Sequence, residues 1–600
     1  MNVFNKENLS IVGKKLIAKT LNEFHYEGLT KPSIIAEDKN GWSTLQVKLG
    51  HKIYTYKGKK RIYGNYVVDP NSITLFQDGK TQEFSDILQL CLDIADELKI
   101  SDFTKAYFIE EMNSTIMADL HLLQSSQNVA TSRVAQMTYE EIEGEIEAHP
   151  WVIFNKGRKG FSYSDYLKYA PESKSKINLF WIAIKKDHAN YAGDENNSYE
   201  TLINEELSKN EIENFNNILK DKQLDPAQYM FMPVHPWQWD NMIVSHFNMA
   251  IANNDLVPLD YGKDNYLAQQ SIRTLSNISD NNKRFVKTCM TIFNTAVWRG
   301  LPKKRILLAP DLSTWLKNLI GKDEFIAGEC GLGLMSECAG IQLDQDYYFQ
   351  IQKAPYQFKE MLGITWREPM SNILREGERA LPLSSLIHVG FDNTPVVKCI
   401  IESSGLSVKE WTKKFHEAML YPLLHTLVKY GLVFSPHGQN AVIVLKDNIP
   451  TRMIIKDFAD DVHISIDGYK QMYKDFPAIA KGTILESPPE VLIHFIQTTL
   501  FICHYRYLSD ILDRYMDFSE KDFFASVRET ILSYQQKFPE LKNKMALYNF
   551  FESHHVKVAL NKVRLVTQGY KDDAERPEPA INELVENPLV EKRDTLAHEL

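Results

Sequence analysis

Polar side chains bracket a predicted β-hairpin between Gly431 and Phe458. Two β-rich runs, residues 441–445 and 452–455, are joined by a Lys-Asp-Asn turn, which predicts a pair of antiparallel strands. Pairing would bring the flanking polar residues to one open end of the hairpin, namely His437, Gln439, Asn440, Lys456 and Asp457. These side chains suit a nucleotide and its metal ion, and the alternative is a polar hairpin that only caps a sheet.

Gln439 separates two kinds of nucleotide chemistry. A similar layout occurs in kinase-like phosphotransferases, where an Asp two residues after the His accepts a proton from the hydroxyl nucleophile. Here that position is Gln439, and a neutral amide cannot accept the proton. An adenylating enzyme needs no such base, because its carboxylate nucleophile (pKa ~4) is already ionised at pH 7. The residue therefore favours carboxylate activation over phosphoryl transfer.

Basic residues separated by glycines follow His149 in the run HPWVIFNKGRKGF. Lys156, Gly157 and Arg158 could bring backbone and positive charge close to an oxyanion, and a solvated basic turn is the alternative. Farther along, His235 lies between two prolines in MPVHPWQWD, where a structural role fits it better than a chemical one.

Two further stretches could hold phosphates. Ser271, Arg273 and Thr274 offer two hydroxyls and a guanidinium. Lys287 lies on an alternating apolar strand that leads to Arg299, so its charge must face a polar cleft or have a partner, since an unpaired buried ammonium is very costly. The sequence has no GxxxxGK[ST] loop, so basic side chains rather than a glycine cradle would hold a nucleotide.

Composition sets the broad class. A chain of 600 residues is too long for one core, so two to four subdomains are expected. The net charge of −10 argues against a nucleic-acid partner, and the six scattered cysteines without a CxxC pair fit free thiols in a reducing cytosol. The N-terminus lacks an apolar leader and no run of about 18 apolar residues occurs, so we expect a protein of the cytoplasm with no membrane partner.

Hydrophobic periodicity predicts the elements that carry these residues. Up to about residue 140 the chain reads as mostly helical, with helices over 84–98 and 102–137 and short strands near 45–47 and 53–56. The middle third mixes strands with helices, the strands at 178–184, 229–233, 285–291 and 305–308 and the helices at 204–219 and 237–252. A helix over 407–430 precedes the hairpin, helices near 489–516 and 520–538 follow it, and the last 30 or so residues read as a peripheral tail.

With these motifs in its order, the chain resembles the IucA/IucC family, the synthetases that build siderophores without nonribosomal peptide machinery. The matching stretches are HPWVIFNKGRKGF, MPVHPWQWDN, QQSIRTLSN, KTCMTIFNTAVWRG, APYQFKEMLGITWRE, SPHGQNAVIVLKD and NPLV, which span residues 149 to 590. The forms HPWQWDN, SIRTLSN and MLGITWRE look most like the branch of desferrioxamine, bisucaberin and putrebactin synthetases, which joins N-hydroxy-N-succinyl diamines into hydroxamate siderophores.

The resemblance implies an α+β fold shaped like a cupped hand and a homodimer. The thumb would be 1–140, the fingers with the phosphate-binding motifs 141–400, and the palm with a kinase-like hairpin 401–600. It also implies a reaction in which ATP and Mg²⁺ convert a carboxylate into an acyl-adenylate. An amine on a small hydroxamate-bearing substrate then displaces AMP and forms an amide.

Site roles are carried over by matching position. Five residues would face the phosphates and the activated carboxylate: Ser271, Arg273, Thr274, Lys287 and Arg299. Four would face the nucleotide and metal, with Asp457 and Asn440 as metal ligands: His437, Gln439, Asn440 and Asp457. Lys156, Gly157 and Arg158 would close over the site, and the catalytic set would be Arg273, Lys287, Arg299 and His437.

Two departures from the family pattern bear on the substrate. Many citrate-using members carry Glu where this chain has Ser435, and members often carry Lys where it has Val558, six residues before Arg564. The leading hypothesis is therefore a hydroxamate-joining ligase, with a citrate-using or citryl-monoamide-using ligase as the alternative. A kinase-like phosphotransferase is disfavoured by Gln439. A ferric-siderophore binding protein would not need so many phosphate-type cations.

Overall fold

The N-terminal part of the chain combines helices with an antiparallel sheet. The computed structural model describes residues 3–295, 297–467, 469–470, 473–576 and 580–590. Its first helices are α1 (Lys6–Tyr26), α2 (Ile87–Glu97), α3 (Asp102–Ser126), α4 (Thr131–Val134) and α5 (Tyr139–Ile142). Between α1 and α2 lie β1 (Ser33–Glu37), β2 (Trp42–Leu49), β3 (Lys52–Lys60), β4 (Tyr66–Val68), β5 (Thr74–Gln77) and β6 (Lys80–Glu83).

The expectation of a mostly helical segment up to residue 140 is corrected by this sheet. Its strand order is β1-β2-β3-β5-β6, with β4 beside β3. Side chains along β2 alternate between buried and more exposed positions, the period-2 pattern of a strand, and only two short strands were expected here. Helices α1 to α3 share one apolar core with the sheet, including the fully buried Ile17, Leu90 and Met112.

The middle of the chain is built on sheets. Its helices are α6 (Tyr163–Tyr169), α7 (Tyr199–Glu206), α8 (Lys209–Asp221), α9 (Pro236–Gln238), α10 (Val244–His246), α11 (Asn248–Ala252), α12 (Lys303–Gly321), α13 (Asp346–Gln350) and α14 (Val396–Ser404). Its strands are β7 (Phe180–Lys185), β8 (Ala189–Gly193), β9 (Tyr229–Val234), β10 (Leu256–Tyr261), β11 (Tyr266–Ala268), β12 (Thr274–Asn277), β13 (Phe285–Thr288), β14 (Met290–Asn294), β15 (Val297–Arg299), β16 (Gly333–Leu334), β17 (Glu337–Leu343), β18 (Gly363–Arg367) and β19 (Glu378–Pro382).

Three expectations for this part change. The predicted strand at 305–308 is the start of α12, because its apolar residues belong to a longer helical face. The predicted helix at 204–219 is two helices, since Ser208 caps α8 with its side chain. The predicted helix at 237–252 is divided into α9, a π-helical turn, α10 and α11. A six-stranded sheet of order β11-β12-β13-β18-β17-β8 dominates this part.

The C-terminal part surrounds the hairpin with helices. The helices are α15 (Val408–Tyr430), α16 (Phe458–Asp461), α17 (Pro489–Phe495), α18 (Arg506–Met516), α19 (Glu520–Lys537) and α20 (Lys542–Met545). The strands are β20 (Leu432–Phe434), β21 (Ala441–Lys446), β22 (Ile449–Ile455), β23 (Val462–Ile464), β24 (Leu485–Glu486), β25 (His554–Ala559) and β26 (Ala580–Glu586).

The predicted hairpin is confirmed as β21 and β22. Ala441 pairs with Ile455 and Lys446 with Ile449, and the sheet order around them is β16-β22-β21-β19. Asp447 and Asn448 at the turn have φ angles of 53° and 63°, the left-handed pair that matches the twist of a two-residue hairpin. The hairpin is buried along most of both strands, so it forms a core element and not only a cap.

Helix α15 has the boundaries that the sequence predicts. Ser407 and Glu410 form a capping box at its start. Gly431 ends it with φ 63°, and a Cβ at this position would lie 2.5 Å from the Tyr469 ring, so a larger residue would be excluded on both counts. This fixed end leads directly into β20 and the loop before the hairpin.

The expectation of a peripheral C-terminal tail is wrong for residues 580–590. Strand β26 pairs antiparallel with β25, and Asn587 and Leu589 are buried. The Asn587 side chain donates to the carbonyl oxygens of Phe550 and Glu552 at 2.9 and 2.7 Å. Residues 591–600 lie outside the described residues. Within the described part, no helix combines the length and apolar character needed to cross a membrane.

Candidate active site

A buried ammonium surrounded by carboxylates lies where the middle sheet meets the hairpin. Lys287 Nζ is 2.6 Å from Asp457 Oδ1, 3.0 Å from Asp460 Oδ2 and 3.2 Å from Glu337 Oε1. Burial alone would lower the pKa of Lys287, but these carboxylates outweigh it and raise that pKa. The prediction that the Lys287 charge needs a partner is therefore confirmed.

Strand register brings a second cation to the same carboxylate. Lys287 on β13 pairs with Thr365 on β18, and two residues later Arg367 places Nη2 2.5 Å from Asp457 Oδ1. Burial raises the pKa of Asp457, but Arg367 and Lys287 hold it below its usual value. Asp457, two residues after the end of β22, has a left-handed φ of 67°, a strained backbone of the kind found at functional sites.

Three arginines adjoin this cluster. Arg273 and Arg576 both donate to the carbonyl oxygen of Gly300, Arg576 across 3.0 Å. Arg273 Nη2 lies 4.0 Å from Asp460 Oδ2, which links the arginines to the Lys287 cluster. Among the described residues no carboxylate is within ion-pair distance of Arg299, and its Nε is buried without a hydrogen-bond partner. Burial and the charges of Arg273 and Arg576 lower the pKa of Arg299 to about 9.

Positive charge exceeds negative charge in this combined cluster. Arg305 pairs with Asp460, and Arg576 lies 2.5 Å from Glu360. The six cations are Arg273, Lys287, Arg299, Arg305, Arg367 and Arg576, and the five carboxyl groups are Glu337, Glu360, Asp457, Asp460 and Asp461. Because unmatched buried charge is costly, the arrangement suits an anionic ligand with several negative charges.

A strained turn places the hydroxyls that the sequence singled out. Ile272 has φ 61°, a genuine outlier for a β-branched residue, and it lies between Ser271 and Arg273. Ser271 Oγ is buried and has no hydrogen-bond partner among the residues that the structure describes, and Thr274 on β12 pairs with Lys287 on β13. The structure thus brings Ser271, Arg273, Thr274 and Lys287 to one place.

The loop before the hairpin borders the same cluster. Gln439 N donates to His437 Nδ1 at 3.3 Å, and burial lowers the pKa of His437 to about 4, so its ring is neutral at pH 7. Lys456 N donates to Asn440 O at 3.1 Å, which fixes the open end of the hairpin. Lys456 Nζ instead points to Tyr139 Oη, 2.8 Å away.

The carboxylates after the hairpin fit a divalent cation. Burial and the charges of Asp460 and Asp457 raise the pKa of Asp461 to about 7, and a bound cation would relieve this crowding. Asn440 Nδ2 donates to Asp461 Oδ2 at 2.7 Å, so the predicted ligand Asn440 adjoins this group. Asp457 Oδ1 is held by two cations, and the described residues contain no preformed cluster of three His, Cys, Asp or Glu side chains.

The predicted closing segment has partners of its own. Lys156 Nζ lies 2.7 Å from Asp119 Oδ1, and Arg158 donates to both oxygens of Glu172 at 2.7 Å. A Cβ on Gly157 would lie 2.5 Å from Glu111 Oε1, so only glycine fits without a shift. The role of this segment in covering a nucleotide stays a prediction.

His235 has a structural contact, as the sequence suggested. Its Nδ1 accepts the backbone N–H of Trp237 at 3.1 Å and caps α9. Five residues of the site were not singled out from the sequence: Glu337, Glu360, Arg367, Arg305 and Arg576. The reasoning used for Lys287, a charge on an apolar strand, would also have found Arg367 and Glu337. Arg576 lies in an acidic, irregular stretch with no such pattern.

Comparison with known proteins decides the family. The IucA / IucC family model matches residues 138–388, and a model described as ferric iron reductase FhuF-like transporter matches residues 409–573. The rhizobactin siderophore biosynthesis protein RhbF of Rhizobium meliloti (strain 1021) is 40% identical over 596 residues, which is 99% of this chain and 98% of that protein. The chain belongs to the IucA/IucC family.

Other relatives and structures agree with this membership. Putrebactin synthase of Shewanella sp. (strain MR-4) is 31% identical over 92% of this chain and 86% of its own, and aerobactin synthase of Escherichia coli is 27% identical over 98% of each. The structure of AsbB, a petrobactin biosynthesis protein of Bacillus anthracis, has a TM-score of 0.88 at 25% identity and covers 100% of this chain and 98% of its own.

The mixed helix-and-sheet fold is shared even with a distant member. ATP-bound aerobactin synthetase IucA of Klebsiella pneumoniae has a TM-score of 0.76 at 14% identity, over 97% of this chain and 100% of that one. As a member of this family the protein is an enzyme, a ligase of siderophore biosynthesis.

Proposed function

We propose that the protein activates a carboxylate with ATP and joins it to an amine, through an acyl-adenylate. The observation that carries this proposal is the excess of positive charge around Arg273, Arg299 and Lys287, beside a hairpin loop with Gln439 at the position of the hydroxyl-activating Asp of kinase-like enzymes. The carboxylate attacks the α-phosphorus of ATP, pyrophosphate leaves, and the amine then displaces AMP. ATP use is also supported by the shared fold of an ATP-bound family member.

Each side chain has a role in this proposal. Arg273, Lys287 and Arg299 offset negative charge as it gathers on the phosphates and the attacking carboxylate. His437, neutral at pH 7, hydrogen-bonds the activated carboxylate without adding charge. Ser271, Thr274, Gln439 and Asn440 orient the nucleotide, and Lys156, Gly157 and Arg158 close over it. Asp457 and Asn440 hold Mg²⁺, which supplies further charge neutralisation on the phosphates.

The acyl donor and the amine are assigned to one class of molecule. We infer N-hydroxy-N-succinyl diamines of the cadaverine or putrescine type, joined into a linear or macrocyclic hydroxamate siderophore. Identity to putrebactin synthase, 31%, supports this choice, as does Ser435 where many citrate-using members carry Glu. The alternative is a citrate-using ligase, favoured by the 27% identity to aerobactin synthase over 98% of the chain.

The wider setting is proposed on the same grounds. Residues 1–140, 141–400 and 401–600 would form the thumb, fingers and palm of a cupped hand, with β21 and β22 as a kinase-like hairpin and with two copies in a homodimer. All six cysteines are free thiols, which suits the reducing cytoplasm where ATP is available.

One incubation tests the reaction and the substrate together. The protein, ATP and Mg²⁺ are mixed with N-hydroxy-N-succinyl-cadaverine, or with citrate plus cadaverine, and nucleotides and amides are measured by mass spectrometry. We expect AMP and oligomeric amides from the first mixture only. Amides from the citrate mixture alone would favour the alternative, and substrate-dependent ADP without AMP would contradict adenylation.

A further inference from the structure

A cavity between helices α1, α3 and α18 lies outside the cluster of the proposed active site. One part, which Lys19 lines, has a volume of about 300 Å³ and is called here the inner part, and the other, which Ser126 lines, has a volume of about 670 Å³ and is called the outer part. Lys15, Asp119, Glu147, His388 and Arg514 line both parts, so the two form one continuous recess, called here the interhelical cavity. A recess of this size holds a small molecule such as a succinylated diamine.

Among the described residues, the charged groups in its wall form ion pairs with one another or with neighbours, and Lys19 is the exception. The pairs are Lys14 with Glu83, Lys15 with Glu147, Lys156 with Asp119, Arg514 with Asp510, and Glu23 with Arg506. Lys19 Nζ instead donates to the carbonyl oxygens of His149 and Val152, at 3.0 and 2.8 Å. Burial, and then the charge of Lys156, lower the pKa of Lys19 to about 8. Two of its three N–H groups are used, which leaves one for an anion.

His388 adds a second unused polar atom at the same place. The residue is 7% exposed, it lines the inner part together with Lys19, and its Nδ1 has no hydrogen-bond partner in the part of the chain that the structure describes. Buried polar atoms without partners are rare in native proteins, and each calls for a ligand or a water molecule. Lys19 and His388 therefore offer one ammonium and one imidazole to a group of negative charge.

The inner part ends next to the loop that carries His437. Ser384 lines the cavity, and its N–H donates to the carbonyl oxygen of Gly438 at 2.9 Å. On another side, His149 adjoins the cavity, because Lys19, which lines the inner part, donates to the carbonyl oxygen of His149. Lys156 of the predicted closing segment also lines this part, so the cavity borders the proposed site of acyl transfer.

We propose that the interhelical cavity binds the amine-bearing acceptor by the carboxylate at its far end, with Lys19 and His388 as the anchor. The inference rests on the proposed function, in which donor and acceptor are the same kind of molecule. The donor places its carboxylate among the arginines. The acceptor must present its amine there and keep its own carboxylate away, which requires a second anion-binding recess beside the first.

The test separates the acceptor from the donor. A donor with an acetylated amine can only be activated, and it is offered to two acceptors, N-hydroxy-N-succinyl-cadaverine and N-hydroxy-N-acetyl-cadaverine, which differ in the distal carboxylate. We expect the wild-type KM to be at least tenfold lower for the succinyl acceptor. In Lys19→Gln, which keeps donors for the two carbonyls, this preference should fall below threefold. Hydroxylamine-trapped acyl-adenylate should be unchanged.

A matched pair of variants tests the cavity itself. Ser126 and Ser125 are neighbours on α3, both half-buried and each bonded to a carbonyl of its own helix, but only Ser126 lines the outer part. Ser126→Trp should raise the acceptor KM at least fivefold, and Ser125→Trp should leave it unchanged. Equal effects of the two variants, or equal wild-type KM values for the two acceptors, would overturn the proposal.

Failure of the proposed function has a different signature. It would appear as no trapped acyl-adenylate from any carboxylate in the wild type. Whether the cavity binds this molecule is then decided by calorimetry with N-hydroxy-N-succinyl-cadaverine alone. Binding of N-hydroxy-N-succinyl-cadaverine that is at least fivefold weaker in Lys19→Gln than in the wild type supports the site. Equal affinity of the two proteins contradicts it.

Discussion

Arg299 and Lys287 should differ in their effect on stability while sharing an effect on activity. In Arg299→Gln the lost charge has no ion-pair partner among the described residues. Burial and the charges of Arg273 and Arg576 lower the pKa of Arg299 to about 9, which at ~1.4 kcal/mol per pH unit corresponds to about 5 kcal/mol of unfavourable burial and repulsion. The side chain is half-buried, so solvent screening reduces this to about 1–3 kcal/mol. Arg299→Gln should therefore unfold at equal or higher denaturant concentration.

Lys287→Ala should behave in the opposite way. It leaves Asp457, Asp460 and Glu337 without their shared ammonium, and removing one partner of a buried pair costs about 3–5 kcal/mol. Both variants should lower the rate of acyl-adenylate formation by roughly 10²–10³. Urea unfolding followed by tryptophan fluorescence, and hydroxylamine trapping, measure the two effects. A loss of stability in Arg299→Gln as large as in Lys287→Ala would refute the excess of positive charge around Arg299.

Three further outcomes follow from the same contacts. Asp457→Asn should raise the Mg²⁺ concentration for half-maximal activity at least fivefold, because an amide is a poorer ligand for a hard cation, and an unchanged requirement would move the metal to Asp460 or Asp461. Activity should rise with pH up to about 9, since the substrate ammonium (pKa ~10) must lose a proton to attack. Above about pH 9 it should fall, because Arg299 then loses its charge, and a rate that keeps rising to pH 10.5 would argue against that pKa.

Local sequence signals predicted the elements that position the site. The hairpin, α15 and the end of α15 at Gly431 follow from turn residues, capping residues and helical spacing within a few positions. Lys287 could be assigned a polar partner because an ammonium on an apolar strand needs one.

The partners themselves could not be predicted, because they come from distant parts of the chain. Lys287 meets Asp457 across 170 positions, and Arg576 reaches Gly300 across 276. The N-terminal sheet was underestimated since several of its strands are short and exposed and lack an apolar pattern, as in β6 (Lys80–Glu83). Lys156 and Arg158 have carboxylate partners on α3 and in the segment after α6, which no local pattern indicates.

Oxygen transfer from substrate to nucleotide tests the central claim most directly. The enzyme is given ATP, Mg²⁺ and N-hydroxy-N-succinyl-cadaverine whose carboxylate carries ¹⁸O, and the AMP is examined by mass spectrometry. Attack of the carboxylate on the α-phosphorus predicts one ¹⁸O atom in each AMP released with amide formation. Amide formation with unlabelled AMP, or with the label in inorganic phosphate and ADP as the nucleotide, would contradict an acyl-adenylate.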